Sequence, residues 1–141
     1  MNPQWPEAAN IVKQSIAHIT LLVHDYDEAI VFYTKKLKFQ LLEDSKLTET
    51  KRWVLLRPQG AQECCLLLAK ASNPQQLQTV GNQTGGRVFL FLYTDDFEKS
   101  YQNLLDNQVQ IARPPRKESY GTVAVFADLY GNLWDLIEPA P

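Results

Sequence analysis

The sequence predicts an α+β fold: one domain of two βαβββ modules set around an enclosed small-molecule pocket. Three observations carry the prediction. One order of elements (strand, helix, three strands) appears twice along the 141 residues. Both helix starts show an Asp with a Glu three residues on. The strand faces turned away from the helices are apolar and aromatic, where a half-solvated sheet would be mostly polar.

The elements follow in chain order. Residues 16–23 are apolar and β-branched and read as a strand. Asp25-Tyr26-Asp27-Glu28 then opens a helix, and Tyr26, Ile30, Tyr33 and Leu37 recur at helical spacing as one apolar stripe. Residues 39–46, 52–57 and 64–69 give three more strands, so module one covers about 14–70. Residues 71–86, rich in Asn, Gln, Gly and Ser, read as a linker. Module two covers about 87–139: a strand at 88–93, a helix opened by Asp95 with Glu98, and an apolar stripe of Phe97, Tyr101 and Leu104. Its strands are expected at 108–112, 122–127 and 133–138, with Pro114 and Pro115 marking the loop after the first of them. Gly131 occupies the tight connection before the last strand, where a positive φ is needed.

Composition excludes several classes. A hydrophobic fraction of 45% and a charged fraction of 21% suit a soluble globular domain long enough to bury a core. Net charge is −2 and the 14 basic residues are scattered, so the chain lacks the lopsided footprint of a nucleic-acid binder. No apolar run approaches the ~20 residues a membrane helix needs. Residues 1–7 have neither a basic start nor an apolar run, which points to a cytoplasmic protein without a secretory leader. Cys64 and Cys65 are adjacent, so on a strand they point to opposite faces and suit two reduced, packed thiols.

The strand faces supply the candidate site. Ile19, Leu21 and Val23 suit packing against the first helix, leaving His18, Thr20 and Leu22 opposite. Val88, Leu90 and Leu92 suit the second helix, leaving Phe89, Phe91 and Tyr93. On the last strand Trp134 and Leu136 share one face and Asp135 stands on the other. Such a face fits a lined cavity, and it equally fits core or a dimer interface. His18 and Asp135 argue for the cavity, because burying them unpaired is costly.

At this point the sequence resembles the vicinal oxygen chelate superfamily, which includes glyoxalase I, the bleomycin resistance proteins and the extradiol dioxygenases. The resemblance rests on Ile16-Ala17-His18-Ile19-Thr20-Leu21-Leu22-Val23, Ala29-Ile30-Val31-Phe32-Tyr33 and Leu37-Lys38-Phe39 at the opening. At the close it rests on the turn and strand from Asp128 to Glu138. That family usually has Asp-Pro-Asp-Gly in the closing turn, so Leu129 and Tyr130 depart from it. The resemblance spans roughly residues 16–139 and implies paired modules whose curved sheets form a cup-shaped, barrel-like surface, with helices outside.

Metal-dependent members hold their ion on four inward positions. Carried over, these fall on His18, Leu67, Phe89 and Asp135, with Cys65 as the alternative to Leu67 if the register slips by two. Two of the four cannot coordinate, short of the three ligands a catalytic divalent site wants. The resemblance therefore implies a small-molecule binder with no metal, no cofactor and no catalytic residue. Its expected ligand is a small hydrophobic or aromatic molecule, lined by His18, Thr20, Leu67, Phe89, Phe91, Tyr93 and Asp135, with His18 and Asp135 paired at the pocket floor. A homodimer is expected. The rival is a metal-dependent lyase, isomerase or dioxygenase using His18 and Asp135.

Overall fold

In the computed structural model, residues 11–141 are described, and the leader reading of residues 1–7 lies outside them. Strands β1 (His18–Val23), β2 (Gln40–Lys46), β3 (Arg52–Arg57) and β4 (Cys65–Lys70) form sheet 1 in the order β1-β4-β3-β2. Strands β5 (Val88–Tyr93), β6 (Gln110–Glu118), β7 (Gly121–Ala127) and β8 (Leu133–Pro139) form sheet 2 in the order β5-β8-β7-β6. Each sheet is mixed: β1 runs parallel to β4 and β5 to β8, and the other pairs are antiparallel. The sheets share no strand pair, so the duplicated βαβββ order gives two separate four-stranded sheets and no closed barrel.

Local chemistry explains the helices. Asp25 caps α1 (Tyr26–Val31), its carboxylate accepting from the Glu28 N–H at 2.8 Å. The helix then widens into a π turn, Phe32–Lys36, closed by the Leu37 N–H to the Phe32 carbonyl. The wide turn breaks the even stripe that the sequence predicts. Neighbouring Phe32 and Tyr33 both enter the core, while Ile30 and Leu37 are only half-buried. Helix α3 (Phe97–Asp106) is capped by Asp96, one residue later than the spacing of Asp95 and Glu98 suggests, with its carboxylate on the Lys99 N–H.

Two further expectations change. The stretch read as a linker contains α2 (Pro74–Thr79), which starts as short helices often do, with Asn73 capping the Gln76 N–H and Pro74 at the first position. From the same stretch, the Gln83 side-chain oxygen accepts the Leu22 N–H at 2.7 Å, covering part of the open edge of β1. Pro114 and Pro115 lie within β6 and not in a loop. β6 is the edge of sheet 2, where a missing N–H is tolerated, and register shifts between Ile111 and Arg113 and between Arg113 and Arg116 absorb them.

The helix sides of both sheets build one core. Leu21, Leu56, Leu68, Tyr33, Phe126, Trp134 and Leu136 are all buried in it. Each fully buried large apolar side chain contributes roughly 1.5–3 kcal/mol. The modules meet through this side. Trp134 lies 6.0 Å from Tyr33 and 5.9 Å from Phe39 between ring centres, and the Asn103 side-chain N–H donates to the Lys36 carbonyl. The outer face of each sheet is left turned away from the shared core.

Candidate functional site

Strand registers fix which residues share the outer faces. On sheet 1, His18 stands beside Cys65 and Thr20 beside Leu67, with Leu55 next to Leu67 on β3. His18 and Thr20 are exposed, Leu67 is half-buried, and Leu55 and Cys65 are buried. The His18 ring leans edge-on against Trp53, 5.8 Å between centres. On sheet 2, Phe91 stands beside Asp135, then Val125, then Arg113. The next row is Tyr93, Ile137, Val123, Arg116. Val123 and Val125 are 2% exposed and Ile137 6%, yet Phe91 and Tyr93 are 62% and 70% exposed. A dry floor thus has two open aromatic rings at one end and two guanidinium groups at the other.

Asp135 is the titrating group of this face. Burial pushes its carboxyl above the ordinary Asp range, and Arg113 and Arg116 pull partly against that shift. Arg116 is already engaged, its Nε 2.7 Å from Glu118. Arg113 has no ion-pair or hydrogen-bond partner among the described residues, and it is exposed. Arg57, on the outer side of β3, has its Nε buried with no partner among the described residues.

Three sequence expectations about the site need correction. His18 and Asp135 do not meet within one chain: His18 rests on Trp53, and the charges that act on Asp135 are Arg113 and Arg116. They sit on separate sheets whose outer faces both point away from the common core. Phe89 does not stand with Phe91 and Tyr93. A bulge between Val88 and Leu90 breaks the alternation, and Phe89 packs edge-on against core Trp134 at 6.3 Å. Among the described residues the two sheets share no strand pair that would close their outer faces into one pocket. A cleft of about 670 Å³ lies between the turn Pro58–Ala61 and the start of α3 near Lys99 and Asn103, and of the candidate residues Tyr93 is in its lining. His24 is exposed, edge-on to Tyr130 at 5.2 Å.

The sequence pattern does not single out Trp53, Arg113 or Arg116. Alternation along β3 would have found Trp53, but Arg113 and Arg116 lie across two bulges and a Pro pair, where period two fails. Among the described residues no three His, Cys, Asp or Glu side chains are grouped to hold a metal ion. No helix among them is long and apolar enough to cross a membrane.

This architecture agrees with comparisons to known proteins. The model of the Glyoxalase/Bleomycin resistance protein/Dioxygenase superfamily matches residues 15–136. A protein of Shewanella frigidimarina is 57% identical over 128 residues, covering 90% of this chain and 95% of its own. The crystal structure of UcmS2 superposes with a TM-score of 0.78 at 28% identity, covering 90% of this chain and 99% of that one. TnmS3, described as an antibiotic binding protein from Streptomyces sp. CB03234, superposes with a TM-score of 0.75 at 26% identity, covering 93% of this chain and all of that one. The chain belongs to the Glyoxalase/Bleomycin resistance protein/Dioxygenase superfamily.

Proposed function

We propose that this protein is a small-molecule binder that works without a catalytic metal, taking a hydrophobic or aromatic ligand on the outer faces of its sheets. The observation that carries the reading is the exposure of Phe91 and Tyr93 above the buried floor of Val123, Val125 and Ile137. Large rings held open to water beside a dry floor are expensive unless something stacks on them. The similarity to an antibiotic binding protein supports a small-molecule ligand. His18, Thr20 and Leu67 on sheet 1 supply a second lining surface, and Asp135 a polar contact. Because the helix sides of both sheets are taken up by one chain's core, we assign the enclosed form of the site to a homodimer, sheet 1 of one chain over sheet 2 of its partner. Two unpaired cysteines suit a cytoplasmic setting.

The test is a titration of the purified protein, pretreated with a chelator, against a panel of aromatic compounds by calorimetry. Saturable binding at micromolar levels is expected, unchanged by added Ni or Zn and without conversion of the compound. Phe91→Ala with Tyr93→Ala should weaken it at least tenfold. Light scattering should give twice the 16.1 kDa chain mass. Binding that appears only with metal, or turnover of the bound compound, would overturn the binder reading, and a 16.1 kDa species would overturn the dimer.

A further inference from the structure

The two rows across sheet 2 carry more information than a generic aromatic site. Each runs from an exposed ring on β5 to a guanidinium on β6, the Tyr93 row over buried Ile137 and Val123, the Phe91 row over half-buried Asp135 and buried Val125. Neighbouring strands stand about 4.8 Å apart, so the three steps from β5 to β6 span about 14 Å. A ligand lying along a row therefore meets aromatic rings at one end and a cation at the other. The rows are not equivalent. Arg116 is neutralised by Glu118 at 2.7 Å, while Arg113 has no acidic contact among the described residues. The bulges that flank Arg113 bend the edge strand there, as β-bulges do. The one carboxylate along its row, Asp135, sits half-buried two strands away.

We propose, resting on the binder reading above, that the ligand is an elongated aromatic acid, its rings on Phe91 and Tyr93 and its ionised oxygen on the Arg113 guanidinium. Chemistry at each contact fits. Arg presents a planar fork of donors that matches a carboxylate bidentately, and ligand coverage of the face strengthens that bond by excluding water. The bond also resolves a cost: a guanidinium covered by a neutral ligand would be desolvated without a counter-ion. Asp135, in the middle of the Arg113 row, then faces the ligand body. It suits a hydroxyl group there better than a second anion. A cationic ligand would have to cross the row toward Arg113 and meet like charge.

The experiment uses biphenyl-4-carboxylate and biphenyl-4-carboxamide, which share shape and differ in charge. Both are titrated calorimetrically into the intact protein and into Arg113→Leu, Arg113→Lys and the Phe91→Ala, Tyr93→Ala pair. The expected result is at least tenfold tighter binding of the carboxylate. Arg113→Leu should take the two probes equally, and Arg113→Lys should keep a reduced preference. Arg113 is exposed, so melting temperatures of its variants should stay near that of the parent, which reports that they are folded. Equal affinity of the two probes for the parent, lost in the Phe91, Tyr93 pair, would overturn the acid assignment and leave the aromatic site standing. A carboxylate preference that survives in Arg113→Leu would overturn the role of Arg113. Binding of neither probe would count against the acid proposal and the binder reading together.

Discussion

In the first module the outer face of the sheet is partly closed by its own residues: Leu55 and Cys65 are buried, and the His18 and Trp53 rings lean together over it. In the second module the same side keeps Val123, Val125 and Ile137 buried between strands, and it differs at its two edges, with Phe91 and Tyr93 in solvent at one and arginines along the other. The helix sides show no such split. Both modules pack leucine and phenylalanine into one core, and α1 and α3 each start on a capping Asp. The two modules are thus alike on the side that folds them and differ on the outer face. Fold does not set function, and here the divergence marks where to look for it.

The turns before the last strand of each module sharpen this contrast most. In module one the turn is Pro58-Gln59-Gly60-Ala61, and Gln59 and Gly60 are exposed. In module two Asp128 is 5% exposed and accepts four hydrogen bonds: from the Tyr33 hydroxyl, the Tyr130 and Asn132 N–H groups and the Asn132 side chain. Asp128→Ala leaves these buried donors without an acceptor and is expected to cost about 3 kcal/mol or more. Gln59→Ala should fall within about 0.5 kcal/mol of the parent. Urea denaturation measures both, and similar losses would mean the two turns carry equal loads.

A smaller effect isolates the tie between modules. The Tyr33 hydroxyl donates to Asp128 at 2.7 Å across the module boundary. Tyr33→Phe removes one bond to a charged acceptor, which costs about 2 kcal/mol. It should also change the alkaline limb of stability. Burial first, then the Asp128 charge, holds the Tyr33 hydroxyl well above its ordinary value of 10.0. The unfolded chain releases this proton near 10 and the folded one does not, so the stabilisation is complete below that pH and falls away above it. Tyr130 is raised as well, by burial and its bond to Glu28, and adds to the same limb. Denaturant midpoints between pH 8 and 11 should therefore decline more gently for Tyr33→Phe. An unchanged slope would show that Tyr33 titrates normally.

Much of this was legible in the sequence, for identifiable reasons. Period-two alternation over the unbroken first strand, read as 16–23, placed Leu21, Val23, Thr20 and His18 on their faces. Asp25 was readable as a cap because its Glu28 lies at the right spacing, and Gly131 as a turn because its φ is 100°. Alternation failed where a bulge inserts a residue: at Phe89, and again from Arg113 to Arg116. It also failed at the π turn, where 3.6 periodicity is locally wrong. The pairing of His18 with Asp135 was not readable at all. It depends on how two sheets are oriented, and nothing in strand patterning encodes that.

The smallest effect concerns the helix caps, where the modules look alike in sequence and differ in which residue acts. Asp25 accepts the Glu28 N–H at 2.8 Å, and Asp96 accepts the Lys99 N–H at 3.1 Å. Removing an Asp cap costs about 1 kcal/mol. Asp95 matches the Asp and Glu spacing of the first helix, yet the bonds go to its neighbour. Thr94 is the reason: its hydroxyl accepts the Asp96 N–H at 3.1 Å and fixes that residue at the cap. The Phe97 N–H is then taken by Glu138 from β8 at 2.8 Å, so the second acceptor comes from across the module and not from Glu98. Asp25→Ala and Asp96→Ala should each lower stability by about 1 kcal/mol, while Asp95→Ala should stay within a few tenths, about the scatter of surface substitutions. Glu138→Gln should fall between, since an amide oxygen still accepts the Phe97 N–H without the charge that favours a helix N-terminus. Guanidinium midpoints of the four variants rank these effects. Should Asp95→Ala lose as much as Asp96→Ala, the cap is shared between the two residues and the helix begins a residue earlier than Phe97.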